Sequence, residues 1–433
     1  MSPLVAVPLE RWRDPASVFA AGPAKAEHAF WLDAGPDATE GWSWVGTGVP
    51  ARVEDVRAVE FILPEAEPWQ AGRFRGGWVG WFGYEPAAER AEAPVAAADP
   101  SSPPNAWLRV DRFVAFDHRA RRAWVVAPAA DVAEFAREVG SAPDAPPAAA
   151  PATPTGVASE RHRPARYAEL IEQCRQAIRA GDAYQLCLTT RFSITASIDP
   201  ADAFRRLRQM TPAHHGGLIR FGDVALASAS PERFLEVADG RVQTRPIKGT
   251  RPRGADVDED LRLAAELRAS EKERAENVMI VDLMRNDLSR VCEPGSVGVD
   301  GLLEVESYAA VHQLVSTVSG TLRPGITVGG LLDAAFPAGS MTGAPKLSAM
   351  TILHDLEGAP RGVFAGCFGW VGDDGALDLA MVIRSIVTHP GGAYVGAGGG
   401  ITWRSEAEAE VAEVGLKARG PLAALGATLP PGW

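Results

Sequence analysis

Apolar residues recur at helical spacing through Tyr167, Leu170, Ile171, Cys174 and Ile178, and Gly181 follows as a stop, which predicts a helix. Strict alternation comes next, over residues 184–194. Tyr184, Leu186, Leu188, Thr190, Phe192 and Ile194 share one face and Gln185, Cys187, Thr189 and Arg191 the other, the pattern of a half-buried strand with a polar side. Between residues 217 and 250, short β-rich runs are broken by Phe221-Gly222-Asp223 and Ala238-Asp239-Gly240, which predicts an antiparallel meander. A long helical pattern covers residues 258–290, another begins at Pro345, and a last one spans 405–425. Upstream, residues 76–84 and 107–116 are strand-like. Runs of strands followed by runs of helices predict an α+β fold rather than a doubly wound parallel sheet.

One stretch fits neither period. Residues 141–166 read SAPDAPPAAAPATPTGVASERHRPAR, rich in proline and alanine and poor in bulky apolar side chains. It marks a linker or loop between an N-terminal region, 1–140, and a longer region, 167–433, that holds nearly all the chemical signals. The 433 residues allow two to three domains and a sizeable core. Lysine and arginine number 43 against 55 acidic residues, a net charge of −12, so the basic stripe that nucleic-acid binding requires is not expected. The four cysteines, Cys174, Cys187, Cys292 and Cys367, form no CxxC pair and predict neither disulfides nor a zinc knuckle. They fit a reducing cytoplasm. No secretory leader and no run approaching ~18 apolar residues is present, so a soluble protein off the membrane is expected.

Several residues could carry chemistry. Gly396-Ala397-Gly398-Gly399-Gly400 is not GxGxxG, and Gly339–Lys346 lacks P-loop spacing, so the usual support for nucleotide binding is missing. Glycine density before a helix suits a bound carboxylate, and equally a tight strand-to-helix turn. Glu273/Glu276 and Glu410/Glu413 are i,i+3 pairs, each on one helix face. Together they would offer oxygen donors to Mg²⁺, although ExxE also decorates many solvated helices. Lys248 lies among Arg245, Arg251 and Arg253; on charge clustering alone this reads as a solvated basic turn, and the alternative is an amine depressed by neighbouring cations and burial into a nucleophile.

In order along the chain, GDAYQLCLTTRF (181–192), SPERFL (230–235), QTRPIKGTRPRG (243–254), ENVMIVDLMRNDLSR (276–290), YAAVHQLVSTV (308–318), FPAGSMTGAPK (336–346), DLAMVIRS (378–385) and YVGAGGGI (394–401) resemble the chorismate-utilising enzymes. That family includes anthranilate, aminodeoxychorismate, isochorismate and salicylate synthases. The resemblance covers the chain from about residue 160 onward; upstream only GGWVGWFGYE (76–85) matches, loosely. It implies an α+β fold in which two antiparallel sheets form a β-sandwich with helices outside. Gln185 stands where the water-using members carry lysine, which implies ammonia as the nucleophile. Lys248 stands where anthranilate synthases carry alanine, which implies amination at C4, in the para-aminobenzoate branch of folate synthesis.

The resemblance also implies roles. Lys248 would attack C2 of chorismate and Glu232 would protonate the departing 4-hydroxyl. Glu276 and Glu413, with Glu273 and Glu410 nearby, would hold Mg²⁺ on the ring carboxylate. Arg384, Tyr394 and the amides of Ala397, Gly398 and Gly399 would grip the enolpyruvyl carboxylate and Lys417 the other, with Gln185, His312, Thr342 and Gly343 around the ring. Cys187, Val414 and Leu416 depart from residues common in relatives. No glutaminase elbow is present, so ammonia would come from a separate glutamine amidotransferase subunit. Anthranilate synthase component I, or another chorismate-aminating enzyme, is the nearest alternative, and a catalytically silent ligand-binding subunit the alternative of another class.

Overall fold

A 13-residue strand, Asn105–Asp117, is the spine from which the architecture grows. The structure, a computed structural model, describes residues 3–62, 69–144, 149–308 and 311–433. From one edge of the spine an arm runs through Trp42–Ala51, His28–Asp33, His215–Phe221, Val224–Ser230, Ser385–His389, Gly392–Ile401 and Gln185–Ile194. From the other edge a second arm runs through Gly77–Phe82, Cys367–Gly372, Leu377–Met381, Arg233–Ala238, Arg241–Thr244 and Val311–Thr321, with Ile247–Pro252 and Gly298–Ser307 also on that last strand. Every pairing along both arms is antiparallel.

The arms fold over one another and close on Phe30, Trp44, Trp81, Phe113, Trp370 and Tyr394. Each such aromatic contributes about 1.5–3 kcal/mol when fully buried. This is the expected sandwich, but its layers are joined through the spine into one hydrogen-bonded network of 20 strands among the described residues. Helices cover the outside: Tyr167, Leu170, Ile171 and Cys174 of Pro164–Ala180 pack with Val414 and Ala418 of Ala407–Ala424. Both arms begin with strands from before the 141–166 stretch and continue with strands from after it, joined where His28–Asp33 pairs with His215–Phe221 and Gly77–Phe82 with Cys367–Gly372. Residues 145–148 of that stretch, and 309–310 of the 308–318 block, lie outside the described residues.

Four local expectations change. The helical pattern at 258–290 divides into Val257–Ala269 and Glu271–Ser289, because Ser270 leaves the helical region and its hydroxyl caps the second helix at the Glu273 amide. Ser270 and Glu273 have capping-box spacing, so the break was written in the sequence. The 217–250 meander is two hairpins in different arms: Val224–Ser230 pairs with Ser385–His389, and Arg233–Ala238 with Leu377–Met381. Ser230-Pro231-Glu232 is the crossing between them. Gly398–Gly400 is neither a turn nor a helix start but the end of the Gly392–Ile401 strand, six residues before the next helix at Ala407. Finally, the polar face of Gln185–Ile194 is covered; Gln185 is completely buried.

Candidate active site

The covered polar face has a partner. Gly400 lies opposite Cys187 in the register, and a Cβ on Gly400 would come within 2.8 Å of Gln185 Nε2 and 3.0 Å of Lys248 Nζ. Only glycine leaves room for both side chains beside the backbone. Gly343, at φ +139°, presses equally closely on Gln185 from the other side: a Cβ there would meet the Gln185 carbonyl at 2.0 Å. The Thr342 carbonyl accepts from the Cys187 amide, and the Thr342 hydroxyl donates to Ala338. Thr342 and Gly343 therefore fix the strand that carries Gln185. Both amide atoms of Gln185 are buried without a hydrogen-bond partner among the described residues. A buried amide left open in this way is unsatisfied until a polar ligand arrives.

Lys248, on the Ile247–Pro252 strand, is largely covered, with its side chain 13% exposed, and reaches Glu276 on the Glu271–Ser289 helix, Nζ to Oε2 3.4 Å. Neither sequence reading of this lysine holds: the strand is not a solvated turn, and the arginine neighbours do not depress the amine. Arg245 turns to Glu306, Arg251 to Glu266 and Arg253 to Asp260. Burial disfavours the ammonium, but Glu276 above all, with Cys187 and Glu232, outweighs it and holds Lys248 above the ordinary lysine value. Glu232, delivered by the crossing between arms, is pushed up to about 7 by burial, against the pull of Ser340 and of Lys248 and Lys417. A carboxyl that keeps its proton near neutrality, close to a lysine, has the form of a general acid.

The four acidic residues converge from two helices. A Cβ on Gly399 would lie 3.2 Å from Glu410 Oε2, and Lys417 bridges Glu413, at 2.7 Å, to the Gly398 carbonyl, at 2.9 Å. Burial raises Glu410 and Glu273, the latter also through Glu276, whereas Lys417 overcomes burial and holds Glu413 low. Glu276 Oε1 is buried without a partner among the described residues. No three of His, Cys, Asp and Glu among the described residues form a ready-made metal cage. An all-oxygen set with an open, buried carboxylate oxygen nonetheless fits Mg²⁺, which binds through one or two carboxylates and keeps water or substrate oxygens as its other ligands.

Arg384 is held at φ +51°, and no hydrogen bond or ion pair engages its guanidinium among the described residues. Burial lowers its affinity for the proton, with Glu413 as the opposing charge. A strained, desolvated arginine without a partner is poised for an anion. Arg384→Gln is expected to raise KM for an anionic substrate by about 10- to 100-fold, the worth of a charge-assisted hydrogen bond, while leaving thermal stability unchanged. Steady-state kinetics with a melting curve check this; a large loss of stability would make Arg384 a structural residue.

Two predicted contacts are not brought to this cluster. His312 is tied by its two ring nitrogens to Ser307, at 2.8 Å, and Asp260, at 2.9 Å, so it latches the Val257–Ala269 helix to the strands. Tyr394 stands at the far end of its strand, six residues or about 20 Å from Gly400 at strand rise. Its hydroxyl meets Ser102 and the Val363 amide inside the sandwich. The Ala397 methyl packs in the helix-side core, on the face it shares with Gly399, while the alternating pleat sends Gly396, Gly398 and Gly400 to the other side. The sequence reading missed Phe364, whose ring abuts Gly396; Ser340, facing Glu232; and Lys272, among the carboxylates. Ser340 and Lys272 lay in or beside recognised motifs.

Two cavities of about 330 and 430 Å³ open elsewhere, near Trp42, Arg73 and His214. Pro231, Arg233 and Ile247 line the larger one, while Glu232 and Lys248, one residue away, are absent from its lining.

Residues 27–423 match the chorismate binding enzyme family. The chain is 43% identical over 368 residues to the aminodeoxychorismate synthase of Streptomyces pristinaespiralis, covering 81% of itself and 51% of that protein, so it spans about half the relative's length. It is 41% identical to anthranilate synthase component 1 of Streptomyces coelicolor, covering 81% of itself and 73% of the relative. Its fold matches the crystal structure of anthranilate synthase component I from Streptococcus pneumoniae with a TM-score of 0.74 and 30% identity, over 92% of each chain. No helix among the described residues is long and apolar enough to cross a membrane. The family match, the α+β sandwich and the residues gathered around Lys248 agree: this chain belongs to the chorismate binding enzymes.

Proposed function

We propose that the chain aminates chorismate at C4 to give 4-amino-4-deoxychorismate, acting in the cytoplasm on ammonia delivered by a separate glutamine amidotransferase. The observation that carries this reading is a largely covered lysine, Lys248, set beside an open glutamine amide and a carboxyl that stays protonated near neutrality. The aminodeoxychorismate synthase name of the 43% identical relative supports it.

Chorismate carries two carboxylates, and two unlike cations are available for them. Arg384, unpaired, takes the enolpyruvyl carboxylate, and Lys417 stands by the ring carboxylate. Glu276 and Glu413, with Glu273 and Glu410, would hold Mg²⁺, which supplies a Lewis acid for negative charge on the ring carboxylate. Lys248 attacks as an amine, so its ammonium must first leave the ion pair with Glu276 and lose one proton to solvent. Its lone pair forms the bond to C2, the ring π electrons shift, and the C4–O bond breaks. Glu232 gives its proton to that oxygen and water leaves. Ammonia then adds at C4, the electron shift reverses and the C2–N bond breaks to release Lys248 as an amine, and the extra proton on the new C4 nitrogen returns to the Glu232 carboxylate. Burial of Gln185 keeps bulk water from competing at C2.

A second reading, amination at C2 to anthranilate, draws on the 41% identical relative. One incubation separates the two: purified protein, chorismate, Mg²⁺ and ammonium salt at mildly alkaline pH, with products resolved by mass spectrometry, with and without a 4-amino-4-deoxychorismate lyase. Para-aminobenzoate that forms only with lyase is the expected result. Anthranilate would transfer the assignment to the second reading, and untouched chorismate would favour a silent binding subunit.

A further inference from the structure

Four carboxylates and one ammonium share the gap between the Glu271–Ser289 and Ala407–Ala424 helices. Lys272 lies on the first helix and reaches Glu410 on the second, Nζ to Oε1 3.5 Å. After Glu410, the charges of Glu276, Glu413 and Glu273 act on the same ammonium. The other nearby cations are engaged: Lys248 with Glu276, Lys417 with Glu413 and the Gly398 carbonyl, and Arg251 with Glu266, 4.0 Å from Glu273. Even so, Glu276, only 8% exposed, keeps one oxygen without a partner among the described residues. Lys272 is the member of the group that can leave: its side chain is 45% exposed at the start of a helix, and it can swing into water without moving the backbone.

We propose that Lys272 is the resident cation of this carboxylate set, compensating its charge in the metal-free protein, and that Mg²⁺ binds by displacing the Lys272 ammonium into solvent. This rests on the reading that the carboxylates take Mg²⁺. The exchange replaces one positive charge by two among the same oxygens. A dication gains by the exchange, whereas a monovalent ion offers no more charge than the lysine it would remove. Lys272 therefore sets the affinity of the site and its preference for a doubly charged ion.

Lys272→Met tests this in the full-length protein by calorimetric titration with MgCl₂, alongside melting curves in chelator and in excess Mg²⁺. The variant should bind Mg²⁺ about tenfold more tightly than the parent, because the competing charge is gone. Its Tm in chelator should fall and its Mg²⁺-dependent rise in Tm should grow. Lys272→Arg, which keeps the charge, should retain the parent's weaker affinity. A parent that binds Mg²⁺ and a Met variant that binds it no more tightly would overturn the role of Lys272 and leave the metal reading intact. Absence of Mg²⁺ binding in parent and variant alike would overturn both.

Discussion

Replacing Glu232 by glutamine is expected to stabilise the fold at about pH 8 while turnover falls by roughly 10²- to 10⁴-fold, the range for losing a general acid. The two effects share a cause. In the unfolded chain this carboxyl ionises near its ordinary value of 4.5, whereas burial in the fold makes it hold its proton up to about 7. Its neutral form therefore favours the folded state fully below 4.5, and that advantage is lost as pH rises through 7. Glutamine never ionises, so the stability difference between variant and parent should be near zero at about pH 4 and grow to about 3 kcal/mol above neutrality. Urea unfolding at several pH values reads the difference directly. A difference independent of pH would mean that Glu232 is not the buried, proton-holding carboxyl described here. The parent's turnover should likewise decline as pH passes 7 and the acid form is depleted.

Lys248→Ala should be damaging for the opposite reason. It leaves the buried Glu276 carboxylate with neither oxygen paired, and breaking a buried pair from one side costs about 3–5 kcal/mol. C4 amination should be lost with the nucleophile. The double variant Lys248→Ala/Glu276→Gln should recover most of the stability and none of the activity, because it removes the stranded charge without restoring an amine. A double-mutant cycle measures the coupling between the two residues in metal-free buffer. Coupling near zero would show that the 3.4 Å contact is not an energetically significant ion pair, and anthranilate released by Lys248→Ala would show that this one residue separates amination at C4 from amination at C2.

Much of this was legible in the sequence wherever the governing interactions are local. Helical spacing and Gly181 gave the Pro164–Ala180 helix, whose end does adopt the left-handed conformation. Strict alternation gave the Gln185–Ile194 strand to within one residue. The i,i+3 pairs did place Glu273 with Glu276 and Glu410 with Glu413, because helix geometry alone decides that. Ser270 shows the limit of reading one signal at a time: apolar periodicity ran through it, and the capping spacing that stops the helix carried the correct answer.

What the sequence could not settle was long-range. Whether a polar strand face meets water or a second layer depends on strands far away, and here it meets Gly400, Lys248 and Gly343, so Gln185 is buried rather than exposed. The charge state of Lys248 followed the same logic. Sequence neighbours Arg245, Arg251 and Arg253 face other carboxylates, and Glu276, distant in sequence, holds the lysine as an ammonium. His312 and Tyr394 looked eligible because they lie inside the right motifs, yet His312 is tied to Ser307 and Asp260, and the length of its strand carries Tyr394 away. The sequence by itself determined the elements and the residues within a turn of one another; only the tertiary structure decided which side chains meet, because burial and charge pairing act between segments that chain order keeps apart.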